Sequence, residues 1–368
     1  MGKNIVISAI NIIDGGALTI LKDAISAFEY QSSNGHNITF LVSSPDVHQD
    51  IPTKNIYFEY FPSSKKRWIN RLFFEYIFFY FYSIRKKVDI WLSLHDTTPN
   101  VCSPKRYAYC HNPSIFLNFP IKDVGLDFKQ FLFSKFYKYL YKINIKKNTN
   151  IIVQQAWIAD EFSKIFKLSN MIVATPQAFS QRTVPEKFNT REYNPPKQTE
   201  DYKLFYPAFP RYFKNHSVIF EASRQLIGTT FILTIDGSEN NFAKKLISRN
   251  VSKNIKLIGI QSREAVFKNY RNCDALVFPS LLETWGLPLS EFMQFSKPII
   301  AADLPYAHET LGNYSRIYWF SPTSPDSLIS AINRARSGQA PDSPKFTTSR
   351  HELLQSWEDL ADYISTEK

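Results

Sequence analysis

The stretch ALVFPSLLETWGLPLSE, residues 275–291, has the pattern of a strand, a sharp bend and the start of a helix. Its first six residues form the short apolar run that is typical of a buried strand, whereas Gly286 and Pro288 interrupt the apolar pattern that follows. Proline is favoured at the first position of a helix, because its missing N–H would have no partner there. A strand that leads directly into a helix is the repeating unit of a parallel α/β sheet.

The same unit recurs along the chain in two series. Apolar runs that predict strands lie at residues 4–10, 36–43, 88–94, 106–110 and 150–154, and again at 202–208, 230–236, 254–260, 275–280, 297–303 and 316–320. Between the two series, residues 176–203 contain Pro, Gln, Thr and charged residues without periodicity, which indicates a linker. The sequence therefore predicts an α/β protein with two Rossmann-like, doubly wound domains that face each other across a cleft.

The predicted boundaries divide the chain into four parts. Residues 1–178 are the first domain, residues 179–202 are the linker, and residues 203–345 are the second domain. Residues 346–368 are predicted to contain a C-terminal helix that packs back toward the first domain.

Composition excludes several classes of protein. Of the 368 residues, 44% are hydrophobic and 21% are charged, which is typical of a globular chain rather than a disordered or fibrous one. The three cysteines are odd in number and form no CxxC, so they indicate neither a disulfide framework nor a zinc site. No GxGxxG follows a strand, which argues against a dinucleotide-dependent dehydrogenase. The apolar run at the amino terminus is too short for a secretory signal, and no run reaches the roughly 20 apolar residues of a spanning helix.

The net charge of +11 is concentrated in one part of the chain. Residues 65–147 contain 16 lysines and arginines against five acidic residues, and this excess equals the charge of the whole protein. Within this part, residues 65–87 and 128–147 interleave the basic residues with aromatic ones. In the second segment, one stripe at helical spacing contains Lys135, Lys138 and Lys142, and another contains Phe133, Phe136 and Leu140.

Three interpretations of these basic and aromatic segments are open. They suit an anionic membrane surface, whose headgroups would contact the lysines and whose acyl chains would contact the aromatic rings. Alternatively, the rings are core and the lysines are a solvated face. A single nucleic acid strand would also fit in principle, but nothing resembles a nucleic-acid module, so we predict a membrane partner and no nucleic acid.

The residues 278–312, FPSLLETWGLPLSEFMQFSKPIIAADLPYAHETLG, resemble the carboxyl-terminal signature of GT-B glycosyltransferases, in particular the retaining enzymes of family 4. The pieces E-x7-E, GLPL, KPIIAADLP and HETLG occur in the order that this family has. The resemblance extends upstream to residues 206–216 and 257–280, and downstream to residues 356–364. The first half of the chain is similar only in its layout and in two turn motifs.

The resemblance implies a site for a nucleotide diphosphate sugar around the bend. The backbone amides at the start of the helix would bind the diphosphate, and Gly286 would allow its close approach. Glu291, expected in the first turn of the helix, would accept hydrogen bonds from the ribose hydroxyls, and Glu283 would contact the donor sugar. The residues expected around the diphosphate are Thr284, Trp285, Gly286 and Leu287.

Two cations in PRYFKN resemble the basic pair with which the family binds the diphosphate. Arg211 and Lys214 would stabilise the negative charge of the leaving group, which a metal ion does in other enzymes. We therefore predict neither a metal nor a cofactor. In the family, the backbone just after one strand contacts the base of the nucleotide. The residue at that place here is Ile260, which follows the predicted strand that ends in Gly259.

The first domain supplies two further candidates at the ends of predicted strands. Gly15 and Gly16 would allow a loop to approach the diphosphate or the acceptor, although a plain tight turn explains them nearly as well. His111, in YCHNP, matches the family's histidine near the donor sugar, and a structural histidine is the alternative. His95 with Asp96 is a competing pair one strand earlier.

The function that the resemblance implies is retaining transfer of a hexose from a nucleotide diphosphate sugar, with GDP-mannose favoured and UDP-sugars next. The diphosphate itself can take the acceptor's proton, so we name no nucleophile and no dedicated base. The basic, aromatic segments make a lipid-linked glycan the expected acceptor, on the inner face of the cell membrane, in assembly of a bacterial surface polysaccharide such as O-antigen or capsule. The protein is thus expected to be cytoplasmic and peripheral to the membrane.

Two alternatives come from other functional classes. A GT-B epimerase that acts on a nucleotide sugar would need no acceptor and no membrane surface. A catalytically silent sugar-binding or scaffold protein would keep the fold, but its donor residues should then have been lost, and here they are present.

Overall fold

The computed structural model describes residues 2–13, 15–175, 201–248, 251–345 and 350–366. The chain divides into two units, each with its own sheet. Unit 1 contains the described residues within 1–113, 136–183 and 349–368, and unit 2 contains those within 114–135 and 184–348. Residues 179–200 of the predicted linker lie outside the described residues, and its last residue, Tyr202, already begins a strand.

An eight-stranded parallel sheet forms the centre of unit 1. Its strands are Asn4–Ala9 (β1), Asn37–Val42 (β2), Ile56–Tyr60 (β3), Ile90–Ser93 (β4), Lys105–Cys110 (β5), Asn150–Val153 (β6), Met171–Ala174 (β7) and, from the end of the chain, Glu352–Leu354. The order across the sheet is the C-terminal strand, β7, β6, β5, β4, β1, β2 and β3. The chain builds outward from β1 on one side and from β4 on the other. The carboxyl ends of β1 and β4 are therefore the switch point at which open α/β sheets bind ligands.

Unit 2 repeats this arrangement with six strands. They are Tyr202–Tyr206 (β8), Thr229–Leu233 (β9), Ile255–Leu257 (β10), Ala275–Phe278 (β11), Ile299–Ala302 (β12) and Ile317–Phe320 (β13). They are all parallel, in the order β10, β9, β8, β11, β12 and β13. The switch point of this sheet lies between β8 and β11, so the loops that follow these two strands are adjacent.

The helices connect the strands of both sheets. They are Gly15–Ser33 (α1), Trp68–Phe73 (α2), Phe79–Arg85 (α3), Phe128–Lys142 (α4), Ala156–Phe166 (α5), His216–Ser223 (α6), Asn241–Ile247 (α7), Arg263–Asn272 (α8), Leu287–Met293 (α9), Pro305–Leu311 (α10), Pro325–Arg336 (α11) and Trp357–Thr366 (α12). A π-helical turn at Phe74–Phe78 joins α2 and α3 into one helical segment. Across the described ranges, each helix is too short or too polar to span a bilayer.

Unit 1 has a core on each face of its sheet, because successive side chains of β1 point to opposite sides. On one face, α1 and α12 pack together over Ile5 and Ile7, and Trp357 of α12 stacks on Tyr109 with ring centroids 5.0 Å apart. On the other face, α3 packs over Val6. The C-terminal helix is therefore part of the core of unit 1, although unit 2 separates it from the rest of unit 1 in the sequence.

Three strands of unit 1 are absent from the series that the sequence predicts. They are Ile56–Tyr60, Met171–Ala174 and Glu352–Leu354. The first and third lie at the edges of the sheet and include exposed residues, so they lack the continuous apolar run of a central strand. The second is only four residues long. In unit 2, the run at 254–260 forms a strand of only three residues, Ile255–Leu257.

Two further expectations differ from the structure. Residues 114–135, which the predicted boundary places in the first domain, cluster with unit 2. In α4, the buried stripe contains Ser134, Tyr137 and Tyr141, whereas Phe136 of the expected apolar stripe is exposed. Aromatic residues occur all round this helix, so their spacing does not show which ones face inward.

Candidate functional site

The switch point of unit 2 brings together two residues that lie 69 positions apart. Lys214 follows β8 and Glu283 follows β11, and these two strands pair with Leu204 opposite Ala275. The ammonium Nζ of Lys214 donates to Oε1 of Glu283 at 2.5 Å. The two side chains are 17% and 13% exposed, so the ion pair is largely buried but still reaches the surface.

The turn that contains Lys214 is fixed by hydrogen bonds to its backbone. Residues Tyr212–Lys214 form a short 3-10 helix, and the hydroxyl of Tyr206 donates to the carbonyl of Lys214 at 2.9 Å. The backbone N–H of Leu281 donates to the carbonyl of Phe213 at 2.7 Å, which ties this turn to the loop after β11. The pair Lys214–Glu283 is therefore held from both of its loops.

Residues 114–135 contribute to the same turn. The ring of Phe119 packs on Tyr212 with centroids 4.0 Å apart, and the hydroxyl of Tyr212 donates to Asp123 at 2.8 Å. Sequence reasoning missed this support, because it assigned residues 114–135 to the other domain. The aromatic and acidic residues in this stretch were the available signal.

The bend between the two glutamates has the geometry that its sequence requires. Gly286 has a φ of +82°, and a Cβ atom there would lie 3.2 Å from Leu289, so a larger residue would be strained. Pro288 is the second residue of α9 rather than the first. The hydroxyl of Thr310 donates to the carbonyl of Trp285, which fixes the chain just before the bend. Thr284, Trp285 and Leu287 are half-buried around this bend.

Glu291 does not lie in the first turn of α9, where it was expected, but is its fifth residue. It is buried, and both of its carboxylate oxygens have partners: Arg263 donates to Oε1 at 2.9 Å and the hydroxyl of Tyr270 donates to Oε2 at 3.1 Å. Burial raises the pKa of Glu291, whereas Arg263 and Tyr270 oppose that rise. The error arose because α9 starts at Leu287, one residue before the proline that the sequence marks as the start of the helix.

Sequence reasoning missed Arg263 and Tyr270 as partners of Glu291. They lie on α8, seven residues apart and therefore on one side of that helix. Tyr270 is fully buried, whereas the side chain of Arg263 is half exposed and lies over the ring of Phe267. A spacing of seven residues that ends in a tyrosine is a weak signal, because it fits an ordinary core position equally well.

The remaining candidates of unit 2 lie in separate environments. Arg211 is exposed, and its guanidinium lies 5.1 Å from the ring centroid of Phe209 rather than against Glu283. Ile260 follows β10 with its side chain 67% exposed. Gly259 before it has a φ of +66°, and a Cβ atom there would lie 2.6 Å from Asp236. The structure thus joins Lys214 to Glu283 directly, and it leaves the expected roles of Arg211 and Ile260 as predictions.

At the switch point of unit 1, Asp96 holds the turn that begins with His111. Asp96 follows β4 and has a φ of +67°, and its Oδ1 accepts hydrogen bonds from the backbone N–H groups of His111 at 2.7 Å and Asn112 at 2.9 Å. The imidazole of His111 keeps its Nδ1 atom without a hydrogen-bond partner among the described residues. The structure therefore assigns Asp96 to the support of His111, where the sequence presented the two as competing candidates.

His95 is a buried structural residue. Its Nε2 lies 3.0 Å from the hydroxyl of Ser8 on β1, and its side chain has no exposed surface. Burial lowers the pKa of His95 to about 4, although the neighbouring Glu75 opposes this shift. The ring is therefore neutral at pH 7 and cannot reach a ligand.

A buried ion pair that the sequence analysis did not single out lies beside His95. Glu75 is 1% exposed, accepts from Nε of Arg71 at 2.5 Å and accepts from the hydroxyl of Thr97 at 2.7 Å. Arg71 also donates to the carbonyl of His95 at 3.0 Å. Glu75 is the single acidic residue in the basic and aromatic segment 65–87, and that isolation, with Arg71 four residues earlier, was the available signal.

Gly15 and Gly16 begin α1 directly after β1. Gly15 has a φ of +64°, and a Cβ atom on either glycine would meet no atom within 4 Å. The backbone at this position therefore borders open space, as a loop that approaches a ligand would require. The ligand-binding loop and the plain turn both stay predictions for these glycines.

Comparisons with known proteins show what this chain is similar to. Residues 186–348 match the family Glycosyl transferases group 1. The O-antigen chain mannosyltransferase RfbU of Salmonella typhimurium is 23% identical over 216 residues, which are 58% of this chain and 57% of that protein. The match thus spans less than two thirds of this curated relative.

Solved structures show the same fold at low sequence identity. The structure of a glycosyltransferase from Rickettsia africae is 16% identical with a TM-score of 0.60, and the match covers 99% of this chain and 93% of that one. The lipopolysaccharide outer core galactosyltransferase WaaB is 14% identical with a TM-score of 0.61, and the match covers 100% of both chains. These neighbours give the chain the GT-B fold, an α/β architecture with two Rossmann-like domains.

Proposed function

We propose that the protein is a glycosyltransferase that moves a hexose from a nucleotide diphosphate sugar to a glycan, and the match of residues 186–348 to the family Glycosyl transferases group 1 supports this. The observation that carries the proposal is the ion pair of Lys214 and Glu283 at the switch point of unit 2. The bond that must break joins a sugar to a phosphate. At that place the cation can bind the phosphate, and the carboxylate can contact the sugar.

The role of Lys214 follows from the charge of the leaving group. When the bond between the anomeric carbon and the diphosphate breaks, negative charge grows on the phosphate oxygens, and an ammonium held in position stabilises it. Hydrogen bonds fix the turn of Lys214 in advance, so little reorganisation is needed during the reaction. The proposal assigns this stabilisation to Lys214, with Arg211 as a second cation, and it calls for no metal or cofactor.

The role of Glu283 is to hold Lys214 and to contact the donor sugar. Its Oε1 accepts from Lys214, which leaves Oε2 to accept from a sugar hydroxyl or to stabilise positive charge at the anomeric carbon. Glu291 supports the nucleotide end: each of its oxygens has a second lone pair that can accept from a ribose hydroxyl. The proposal also gives the imidazole of His111 a hydrogen bond to the donor sugar.

The proposed reaction proceeds with retention of configuration. The acceptor hydroxyl forms the new bond to the anomeric carbon on the face from which the diphosphate leaves. Its proton passes to the departing phosphate oxygen, so the products are the glycoside and a nucleoside diphosphate. No side chain has to act as nucleophile.

We propose GDP-mannose as the donor, ahead of UDP-sugars, and a lipid-linked glycan of a bacterial surface polysaccharide as the acceptor. The name of the relative RfbU, a mannosyltransferase of the O-antigen chain, supports mannose as the sugar and a surface polysaccharide as the product. The aromatic and basic segments of residues 65–147 support an acceptor on the inner face of the cell membrane, where the protein would bind peripherally.

A transfer assay with a donor panel tests this function. The purified chain is incubated with GDP-mannose, UDP-glucose, UDP-galactose or UDP-N-acetylglucosamine, with and without a lipid extract that contains undecaprenyl-linked glycans. We expect release of nucleoside diphosphate from one donor and only with the extract, together with radiolabelled sugar in the lipid fraction. Conversion of the donor without any acceptor would instead indicate an epimerase or a hydrolase.

Thermal unfolding with the same panel provides an independent measure of donor binding. A ligand that binds the folded state raises the unfolding temperature, by about 2.7 kcal/mol of stability at one hundred times its dissociation constant. A selective shift with one nucleotide and its sugar would identify the donor. If no nucleotide and no sugar nucleotide shifts the transition, the proposed function is wrong.

A further inference from the structure

The helical segment Trp68–Arg85 exposes a continuous apolar face. Eight large apolar side chains of α2, the π-helical turn and α3 are at least one third exposed, and they recur at the three- and four-residue spacing of one helix side. These residues are Trp68, Ile69, Leu72, Phe73, Ile77, Tyr80, Phe81 and Ile84. Monomeric proteins rarely leave so large an apolar surface in water unless it binds something.

The exposed face is not needed for the packing of unit 1. The opposite side of the same segment packs into the protein through Phe79 and Tyr82, which contact Trp91 with ring centroids 5.0 Å and 6.4 Å away. On that inner side, Glu75 is also bonded to Arg71 and Thr97. The segment is thus anchored from within, so its outer residues are available to a partner.

The charges around the apolar face have one sign. Residues 65–87 contain seven lysines and arginines and one acidic residue, Glu75, which is buried on the inner side. Exposed cations lie at both ends of the helical segment: Lys66 and Arg67 come just before it, Arg85 is its last residue, and Lys87 follows it. An apolar face with lysines and arginines at its ends is the pattern of a helix that lies in the plane of an anionic bilayer surface.

Helix α4 is a weaker candidate for the same contact. Its Lys135, Lys138 and Lys142 are exposed, but two of them lie over the ring of Tyr139. Its expected apolar stripe is divided, because Phe136 is exposed whereas Phe133 and Leu140 are half-buried. The lysines of α4 can attract an anionic surface, but the apolar contact lies in Trp68–Arg85.

We propose that Trp68–Arg85 is the lipid-binding element of the protein, with its apolar face among the acyl chains of an anionic bilayer and its terminal cations at the phosphates. The proposal deepens the proposed function, on which it rests for the choice of a bilayer as partner. It commits to lipid rather than to a second copy of the chain, because a face bordered by cations at both ends would repel its own copy across a twofold axis.

Sedimentation with vesicles tests the proposal on the full-length chain. Vesicles of phosphatidylcholine with one third phosphatidylglycerol are compared with vesicles of phosphatidylcholine alone. The test variant carries Ile69→Gln, Ile77→Gln and Phe81→Gln, all at exposed helical positions. The matched control carries Tyr30→Gln, Ile165→Gln and Ile227→Gln, which are exposed apolar residues elsewhere on the protein. A third variant replaces Lys135, Lys138 and Lys142 by glutamine.

We expect the wild type and the matched control to bind the anionic vesicles equally, and the test variant to bind at least about tenfold more weakly. At physiological salt, the lysine variant should lose less of its vesicle binding than the test variant. Equal binding by the test variant and the wild type would overturn the proposal. A larger loss in the lysine variant would overturn it as well, since α4 would then be the docking element.

Fluorescence places the segment relative to the bilayer. Brominated lipids quench tryptophans that enter the acyl region, and we expect quenching in the wild type that disappears in Trp68→Phe. Quenching that persists in Trp68→Phe would contradict insertion of this face. The face would instead bind a second copy of the chain if the wild type did not bind vesicles but formed a dimer, and if the test variant were monomeric.

The result is separable from the proposed transfer reaction. Donor-induced thermal shifts depend on unit 2, so they should be identical in the wild type and in the test variant. Lost vesicle binding with intact donor shifts supports the docking element. Absent donor shifts with intact vesicle binding would refute the transferase and leave the lipid contact in place.

Discussion

Ionisable residues lie at or beside the switch point of each sheet, but in different environments. In unit 2, Lys214 and Glu283 form a pair that reaches the surface, with 17% and 13% of their side chains exposed. In unit 1, only 1% of Glu75 and 0% of His95 is exposed, and every contact described for them is with another residue of the protein. A charge that must meet a ligand has to keep some access to solvent. A charge that only holds a turn can be buried completely, provided that it is paired.

The buried pair should therefore matter for stability, and the partly exposed pair for turnover. Glu75 belongs to the first class and Lys214 to the second. Glu291 lies between the two classes, since it is buried but has a half-exposed partner in Arg263. The four predictions below test this division.

Removal of Glu75 should produce the largest change in stability. Glu75→Ala leaves the largely buried Arg71 without its carboxylate, and breaking a buried pair from one side costs about 3–5 kcal/mol. Urea unfolding measures this as a lower midpoint. The matched control is Glu59→Ala, whose partner Lys86 is exposed, and its expected cost is below about 1 kcal/mol. Equal midpoints for the two variants would show that the buried network does not stabilise unit 1.

Removal of the Lys214 charge should reduce turnover far more than stability. Lys214→Met should lower kcat by roughly 10²–10³-fold, the usual loss when one preorganised charge at a leaving group is removed. The control is Lys268→Met, an exposed lysine of α8 in the same unit. Initial rates at saturating donor measure the effect. A kcat within twofold of wild type would remove Lys214 from the reaction.

The protein should lose stability when the pH falls below about 6.5. Burial lowers the pKa of His95 to about 4 and that of His216 to about 3, so in the folded state both stay neutral where the unfolded chain binds protons. The unfolded state therefore gains protons first, and stability falls as the pH decreases from about 6.5 toward 4. At pH 5 each histidine should cost about 2 kcal/mol relative to pH 7.

A substitution in each unit separates the two contributions. The ring nitrogens of His216 have no hydrogen-bond partner among the described residues, so His216→Phe should remove its acid sensitivity without loss of a bond. His95→Phe would also break the contact with Ser8 and should destabilise unit 1 at every pH. Urea midpoints at pH 7 and pH 5 measure both. An unchanged pH dependence in His216→Phe would mean that this histidine does not titrate as described.

Neutralisation of Glu291 should give the smallest of the four effects. Glu291→Gln keeps the shape of the side chain but weakens the bonds to Arg263 and to a ribose hydroxyl. We expect donor affinity to fall about tenfold, which corresponds to about 1.4 kcal/mol, with little change in kcat. Isothermal titration with the nucleotide measures it. If affinity is unchanged while the midpoint of unfolding falls, Glu291 is structural and belongs with Glu75.

The sequence predicted the fold well where the signal was local. The central strands are continuous apolar runs, and Gly286 and Pro288 mark a bend whose φ of +82° only glycine adopts easily. The edge strands and the domain membership of residues 114–135 were missed, because they depend on contacts with distant parts of the chain. Glu291 was placed one residue too close to the start of α9, because helix ends are difficult to fix to the residue from such patterns.

The sequence by itself determined the series of strands, the bend and the residues that can act as charges. The tertiary structure decided which of those charges meet. Lys214 and Glu283 are 69 residues apart and come together because β8 and β11 are neighbours at a switch point. The tertiary structure also decided which aromatic residues of 65–87 face outward. Helical spacing shows which residues share one side of the helix, but it does not show whether that side packs against the protein or faces solvent. Local patterns fix the conformation of a segment, whereas burial and pairing depend on which segments pack together.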